Sequence, residues 1–165
     1  MKNDELVHVL RASAAISNET SFVLVGSQAD LLASTEIDLH PALRPEKADL
    51  IDGAIGAHST FHDTFGYHAD GVDPETASLP KDWMNRAVLT YFDQITAICP
   101  DLHDLVVSKC SAGRDKDADF IRTLLASGLV KANILFERIA KLDPSKHNLQ
   151  FITQWTQRRA QEATP

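Results

Sequence analysis

Two acids stand two residues apart in the stretch Ser34-Thr35-Glu36-Ile37-Asp38-Leu39. The alternation of polar and apolar residues reads as a strand, with Glu36 and Asp38 on one face and Ile37 and Leu39 on the other. Two carboxylates on one strand face repel each other, and a cation or a shared proton between them relieves that cost. Mg²⁺ is a hard cation that takes carboxylate oxygens, so Glu36 and Asp38 are candidate metal ligands and catalytic acids. The bland alternative is a solvated edge strand. Just upstream, the apolar run Phe22-Val23-Leu24-Val25 stops at Gly26. A glycine there lets the backbone turn and approach a ligand without a Cβ in the way. Ser27 to Ala33 then reads as a short helix, whose first N–H groups, with the Ser27 hydroxyl, suit a phosphate. A phosphate cradle beside paired acids is the minimal equipment for metal-dependent phosphoryl or nucleotidyl transfer.

The elements that must position these residues can be read in order. Asp4 to Ser17 is an amphipathic helix with Leu6, Val9, Leu10 and Ile16 on its stripe. The buried strand up to Val25 follows, and then the Glu36–Leu39 strand, whose pairing His40-Pro41 is expected to end. Pro45 opens a helix through Ala48, Ile51 and Ile55 that ends near His58, a crossover between strands. The stretch from Phe61 to Pro80 is turn-rich. Thr64 to Ala69 and Thr76 to Leu79 are short strand candidates, with Asp70-Gly71 a hairpin-type turn. Arg86 to Phe92 and Thr96 to Ile98 are further strands. From Asp101 the period becomes helical, in four helices starting near Asp101, Asp115, Lys131 and Pro144. The expected fold is α/β, a mixed sheet flanked by helices with a helical C-terminal part. The sequence reads as one domain, residues 1–100 forming the α/β core and 101–163 the helical part.

The order Gly26-Ser27, a short helix, then Glu36-x-Asp38 resembles the nucleotidyltransferase superfamily, whose usual form is Gly-Ser followed by Asp-x-Asp. The Gly26-Ser27-Gln28-Ala29 form, Glu46-Lys47-Ala48-Asp49, Phe61 to Tyr67, Asp104 to Lys109 and Ala112 to Asp117 are similar to a small bacterial branch of it. The likeness runs from about Ser21 to about Lys141. It implies a nucleotidyltransferase-like sheet and a nucleoside triphosphate (NTP) as substrate. It also implies Mg²⁺ and transfer of a nucleotidyl group to an RNA or protein acceptor. Some relatives are parts of toxin–antitoxin or abortive-infection modules, which implies a cognate toxin or antitoxin protein as a further partner. Two departures stand out: the first acid is Glu36 rather than Asp, and the gap from Gly26 to it is about two residues shorter than usual. They support an alternative, a catalytically silent member that binds a partner protein or a nucleotide.

Other residues carry secondary readings. Lys109 falls on an apolar helical stripe, where it either snorkels past the core or points into a polar pocket. The resemblance implies that it looks toward the nucleotide. Arg114 and Lys116 are candidate phosphate contacts with Asp117 orienting them, or else a solvated helix start. A third carboxylate would complete the site, and Asp70 and Asp73 are the acids available, although both read as turn residues. The seven histidines, His58, His62 and His68 among them, invite a metal reading. His58 and His62 have helical ligand spacing, but the helix is expected to stop between them, which favours a surface or loop role. Trp83 and Arg86 suit stacking on a base or a place in the core.

Composition narrows the classes. The 165 residues suit one domain with a real core, and 24% charged residues is ordinary for a globular chain. The formal charge of −7 argues against broad affinity for nucleic acid, so no DNA partner is expected. The apolar runs are too short for a membrane span, and the N-terminus carries acids where a signal peptide needs basic residues; a cytoplasmic protein is expected. Cys99 and Cys110 are too few for a disulfide framework and read as buried thiols.

Overall fold

The computed structural model describes residues 1–26 and 35–163. Helix α1 (Asn3–Ser17) leads into strand β1 (Ser21–Leu24), and β2 (Glu36–Pro41) returns antiparallel to it. A 3-10 turn at Pro45–Lys47, helix α2 (Ala48–Ile55) and helix α3 (Thr60–Phe65) carry the chain over to β3 (His68–Gly71), parallel to β2. Strands β4 (Val88–Phe92) and β5 (Ile95–Cys99) form an antiparallel pair, and β5 joins β1 in parallel. The result is a mixed five-stranded sheet in the order β3-β2-β1-β5-β4. With helices on the chain between and after its strands, this is the α/β class that the sequence implies.

Chain contacts divide the described residues into two compact units. The first holds Met1–Thr76 and Ala87–Pro100, hence the whole sheet with α1, α2 and α3. Alternation sorts its strands. Ile37 and Leu39 of β2, Phe22 and Leu24 of β1 and Ala69 of β3 join Val9 and Leu10 of α1 and Ile51 of α2 in one apolar core. Lys47 ties the start of α2 to the end of α1, donating to the Ser17 carbonyl at 2.7 Å and to Glu19 at 2.5 Å.

Four local readings are corrected. His40 and Pro41 do not end the pairing, since they stand opposite Val23 and Phe22. The bond from Ala42 N–H to Ser21 O (2.8 Å) lies just beyond Pro41, so the proline falls at a position whose missing N–H the ladder to β1 does not use. Thr64 and Phe65 are helical rather than extended, because the Ser59 hydroxyl caps α3 by accepting from His62 N–H. Gly66 then ends that helix at φ 76°. Asp70-Gly71 is not a hairpin turn but the end of a parallel strand. The expected strand at Thr76–Leu79 is absent too, for Pro74–Thr76 is a 3-10 turn.

Gly71 is what allows α2 to lie against β3. A Cβ at that position would fall 1.9 Å from the Ala48 carbonyl oxygen and 3.0 Å from Asp52 N. Those neighbours are backbone atoms and cannot swing aside. The Gly71 N–H also donates to the Asp52 carboxylate at 3.3 Å. Gly71→Ala is therefore expected to destabilise the fold by about 3 kcal/mol, the upper range for overpacking. Urea unfolding of the two proteins at one pH measures it.

The second unit holds Ala77–Arg86 and the chain from Asp101 onward. Its helices are α4 (Leu102–Ala112), α5 (Asp115–Ala126), α6 (Ala132–Ile139) and α7 (Leu149–Ala163). They bury Val106, Val107, Ile121, Leu135, Ile139 and Ile152 among themselves. Asp101 caps α4 as its position suggests, accepting from His103 N–H at 2.9 Å. Asp104 is fully buried, and its carboxylate accepts from Arg86 through Nε (3.1 Å) and Nη2 (3.0 Å), with Arg138 Nη1 at 3.2 Å. Arg86 also binds Asp82, which Lys141 meets at 2.8 Å. These bonds draw residues 77–86 into the helical unit, so Arg86 is spent on ion pairs rather than left for stacking.

Both cysteines are buried. Burial pushes the Cys110 thiol up from 9.0 to about 11, with the Thr156 hydroxyl pulling the other way. A thiol that holds its proton longer when folded adds stability that is complete below the unfolded value. That stability is lost as the pH climbs from about 9 through about 11. Unfolding free energy is expected to drop by about 2 kcal/mol over this range, and Cys110→Ala should flatten the slope in denaturant titrations.

Candidate functional site

The parallel register of β2 and β3 sets Glu36 opposite His68 and Asp38 opposite Asp70. Residues opposite each other in a ladder share a face, and alternation puts Ile37 and Ala69 on the other one. Four polar side chains thus line one face of two neighbouring strands. Glu36 Oε2 lies 3.9 Å from His68 Nε2, and Asp70 Oδ1 lies 3.5 Å from it. One ligand atom from each of Glu36, His68 and Asp70 falls within 4.8 Å of the others. Asp38, the expected partner of Glu36, is not in that set; it stands one pleat along the same face.

The site grades from open to closed. Glu36 keeps 64% of its side chain exposed, Asp70 29% and His68 only 6%. Asp70 is steadied from behind, its Oδ1 accepting from Ala57 N–H at 3.1 Å. His68 is held by its main chain, through N–H to the Thr35 carbonyl (3.0 Å), and by the His62 ring at 4.2 Å between centroids. The His62 Nδ1 accepts from His58 N–H at 3.1 Å, so a neutral His62 carries its proton on Nε2. The buried Nδ1 of His68 has no hydrogen-bond partner among the described residues. Two carboxylates and an imidazole at this spacing are a chemically suitable donor set for a divalent cation.

Gly26 borders this face. Val25 N–H donates to the Asp38 carbonyl at 3.0 Å, and a Cβ on Gly26 would meet Asp38 N at 3.7 Å, an ordinary contact. Packing against the described residues does not demand a glycine here, in contrast to Gly71. Ser27, with the expected short helix to Ala33, lies outside the described residues.

The other expected site residues belong to the helical unit. Lys109 Nζ is 3.3 Å from Asp117 Oδ1 and sits 5.3 Å from the centre of the Phe120 ring. Arg114 Nε donates to the other oxygen of Asp117 at 2.9 Å. Asp117 is buried, so it gathers both cations at the start of α5. Lys116 is exposed on the first turn of α5. Of the two acids considered as a third carboxylate, Asp70 stands beside Glu36, whereas Asp73 makes a turn by accepting from Glu75 N–H at 2.7 Å.

Sequence reasoning counted His68 among the histidines that invite a metal reading but favoured a surface or loop role, whereas the residue is buried beside Glu36 and Asp70. The signal was present: His68-x-Asp70 repeats the two-residue spacing of Glu36-x-Asp38. Reading Asp70-Gly71 as a turn hid the shared parity.

The chain matches, over residues 4–161, the family described as nucleotidyltransferase of unknown function (DUF6036). It belongs to that family. No curated protein and no solved structure matches it. No helix among the described residues is long and apolar enough to cross a membrane.

Removing the buried carboxylate that joins Lys109 to Arg114 leaves two cations facing each other. Asp117→Ala is expected to cost about 3 kcal/mol, the low end for a broken buried pair because Arg114 is 55% exposed. Thermal unfolding followed by circular dichroism measures it.

Proposed function

We propose that this protein is a divalent-cation-dependent nucleotidyltransferase that moves a nucleotidyl group from an NTP to an RNA or protein acceptor. The observation that carries the reading is the meeting of Glu36, Asp38 and Asp70 on one face of β2 and β3, bordered by Gly26. Glu36 and Asp70 would hold the cation, and Asp38 would extend the acidic surface along the strand. A bound Mg²⁺ or similar ion neutralises triphosphate charge and favours ionisation of an attacking hydroxyl. Gly26 leaves the backbone after β1 open to a phosphate oxygen, and Ser27 would add a hydroxyl. Within the helical unit, Lys109 and Arg114, both bound to Asp117, and Lys116 are the candidate phosphate contacts. A toxin–antitoxin or defence setting, with a cognate protein partner, rests on the family resemblance.

One feature favours the second reading, binding without turnover. Glu36 is a methylene longer than the usual aspartate, and its side chain is mostly exposed, so its carboxylate is less firmly placed than that of Asp70.

The test is incorporation of label from α-phosphate-labelled NTPs into RNA or protein of a cell lysate, with Mg²⁺ or Mn²⁺ present. Wild-type protein is expected to transfer label, and Asp38→Asn and Asp70→Asn to lower the rate by about 100-fold or more. Nucleotide binding with no label transferred by any of the three proteins would establish the silent reading instead.

A further inference from the structure

We infer that His68 is a nitrogen ligand to the cation held by Glu36 and Asp70, and that it tunes the site toward Mn²⁺ over Mg²⁺. This rests on the metal-dependent reading above and adds a donor to it.

A structural histidine buried in a protein is ordinarily fixed by hydrogen bonds at its ring nitrogens. His68 is 95% buried by its 5% exposure, yet its Nδ1 has no such partner among the described residues. Its Nε2 points between two carboxylates at 3.5 and 3.9 Å, longer than a good N–H···O bond. The ring is therefore placed by packing on His62 and by the strand, while Nε2 faces the acids. Bonds of about 2.1 Å to a divalent ion put neighbouring ligand atoms roughly 3–3.5 Å apart. The 3.5 Å contact already has that spacing, and the 4.8 Å limit on the trio leaves a small closure to be made. The closure falls to Glu36, which is exposed and on the longer stem.

Donor type then decides the ion. Mg²⁺ demands oxygen and gives up water reluctantly, whereas imidazole nitrogen favours first-row transition ions. Two carboxylates with one imidazole fit Mn²⁺, which accepts both. Among the described residues, the Nδ1 of His68 has no carboxylate behind it to raise the ring's basicity. A moderate preference follows rather than a tight zinc-like site.

The experiment uses the full chain, with Mn²⁺ as probe and no nucleotide. Electron paramagnetic resonance of free Mn²⁺ gives the affinity, Mg²⁺ competition gives the ratio, and pulsed measurements on bound Mn²⁺ report a nitrogen nuclear coupling. Wild type is expected to show that coupling and to favour Mn²⁺ over Mg²⁺ by at least about tenfold. His68→Gln should abolish the coupling and weaken Mn²⁺ about tenfold, with Mg²⁺ affinity changed less than about threefold. His68→Asn serves if the glutamine variant fails to fold, and the wild-type coupling requires no variant. Mn²⁺ bound in a way that Asp70→Asn abolishes, but without nitrogen coupling, overturns the role of His68 and leaves the carboxylate site standing. No binding of either ion to wild type overturns both.

Discussion

The register between β2 and β3 is the constraint on which the candidate site depends. Side chains in a strand alternate, so a slip of one residue would send Asp70 and His68 to the opposite face and bring Ala69 and Gly71 among the acids. That register is specified from the other side of the sheet. Ile37, Leu39 and Ala69 must face the apolar core with Ile51 of α2. The Gly71 backbone must come close to Ala48 and Asp52. The acids are therefore gathered not by attraction for one another but by apolar burial beneath them. Their mutual repulsion is a cost carried by that burial, and it makes the face receptive to positive charge.

The helical unit solves a related problem differently. Asp104 and Asp117 are both buried, and each is met by two cationic side chains. A buried charge is tolerated only with such pairing. On the sheet face, by contrast, Glu36 and Asp70 lie 3.9 and 3.5 Å from the Nε2 of His68, and both keep part of their side chains exposed. The difference separates carboxylates sealed in the helical unit from carboxylates that solvent can reach.

Much of this was legible in the sequence, because periodicity reports which side is buried. The apolar run at Phe22–Leu24, the alternation at Glu36–Leu39 and the helical stripe with Ile51 and Ile55 all announced their elements. The α/β class followed from their order. The region from Thr60 to Thr76 did not, for short elements carry too few residues for a period to show. There a single capping hydroxyl on Ser59 outweighed the extended preference of Thr64 and Phe65. At Asp70-Gly71 a familiar turn dipeptide served a different purpose, the close passage of a helix. The role of Asp104 was hidden for another reason. Its partner Arg86 lies 18 positions earlier in the chain, and no local pattern reports so distant an ion pair.

The excursion of residues 77–86 has its own consequence. The chain leaves the sheet unit after Thr76, contributes this segment to the helices, returns for β4 and β5 and departs again after Pro100. Neither unit is a contiguous piece of polypeptide. A fragment beginning at Asp101 would carry Asp104 without the guanidinium of Arg86 that meets it at two atoms. On the ribosome, Ala77–Arg86 emerges before β4, β5 and the helices it serves, and must wait for those helices. The two units are thus interleaved as one heritable block, and neither can be exchanged between proteins by a single cut.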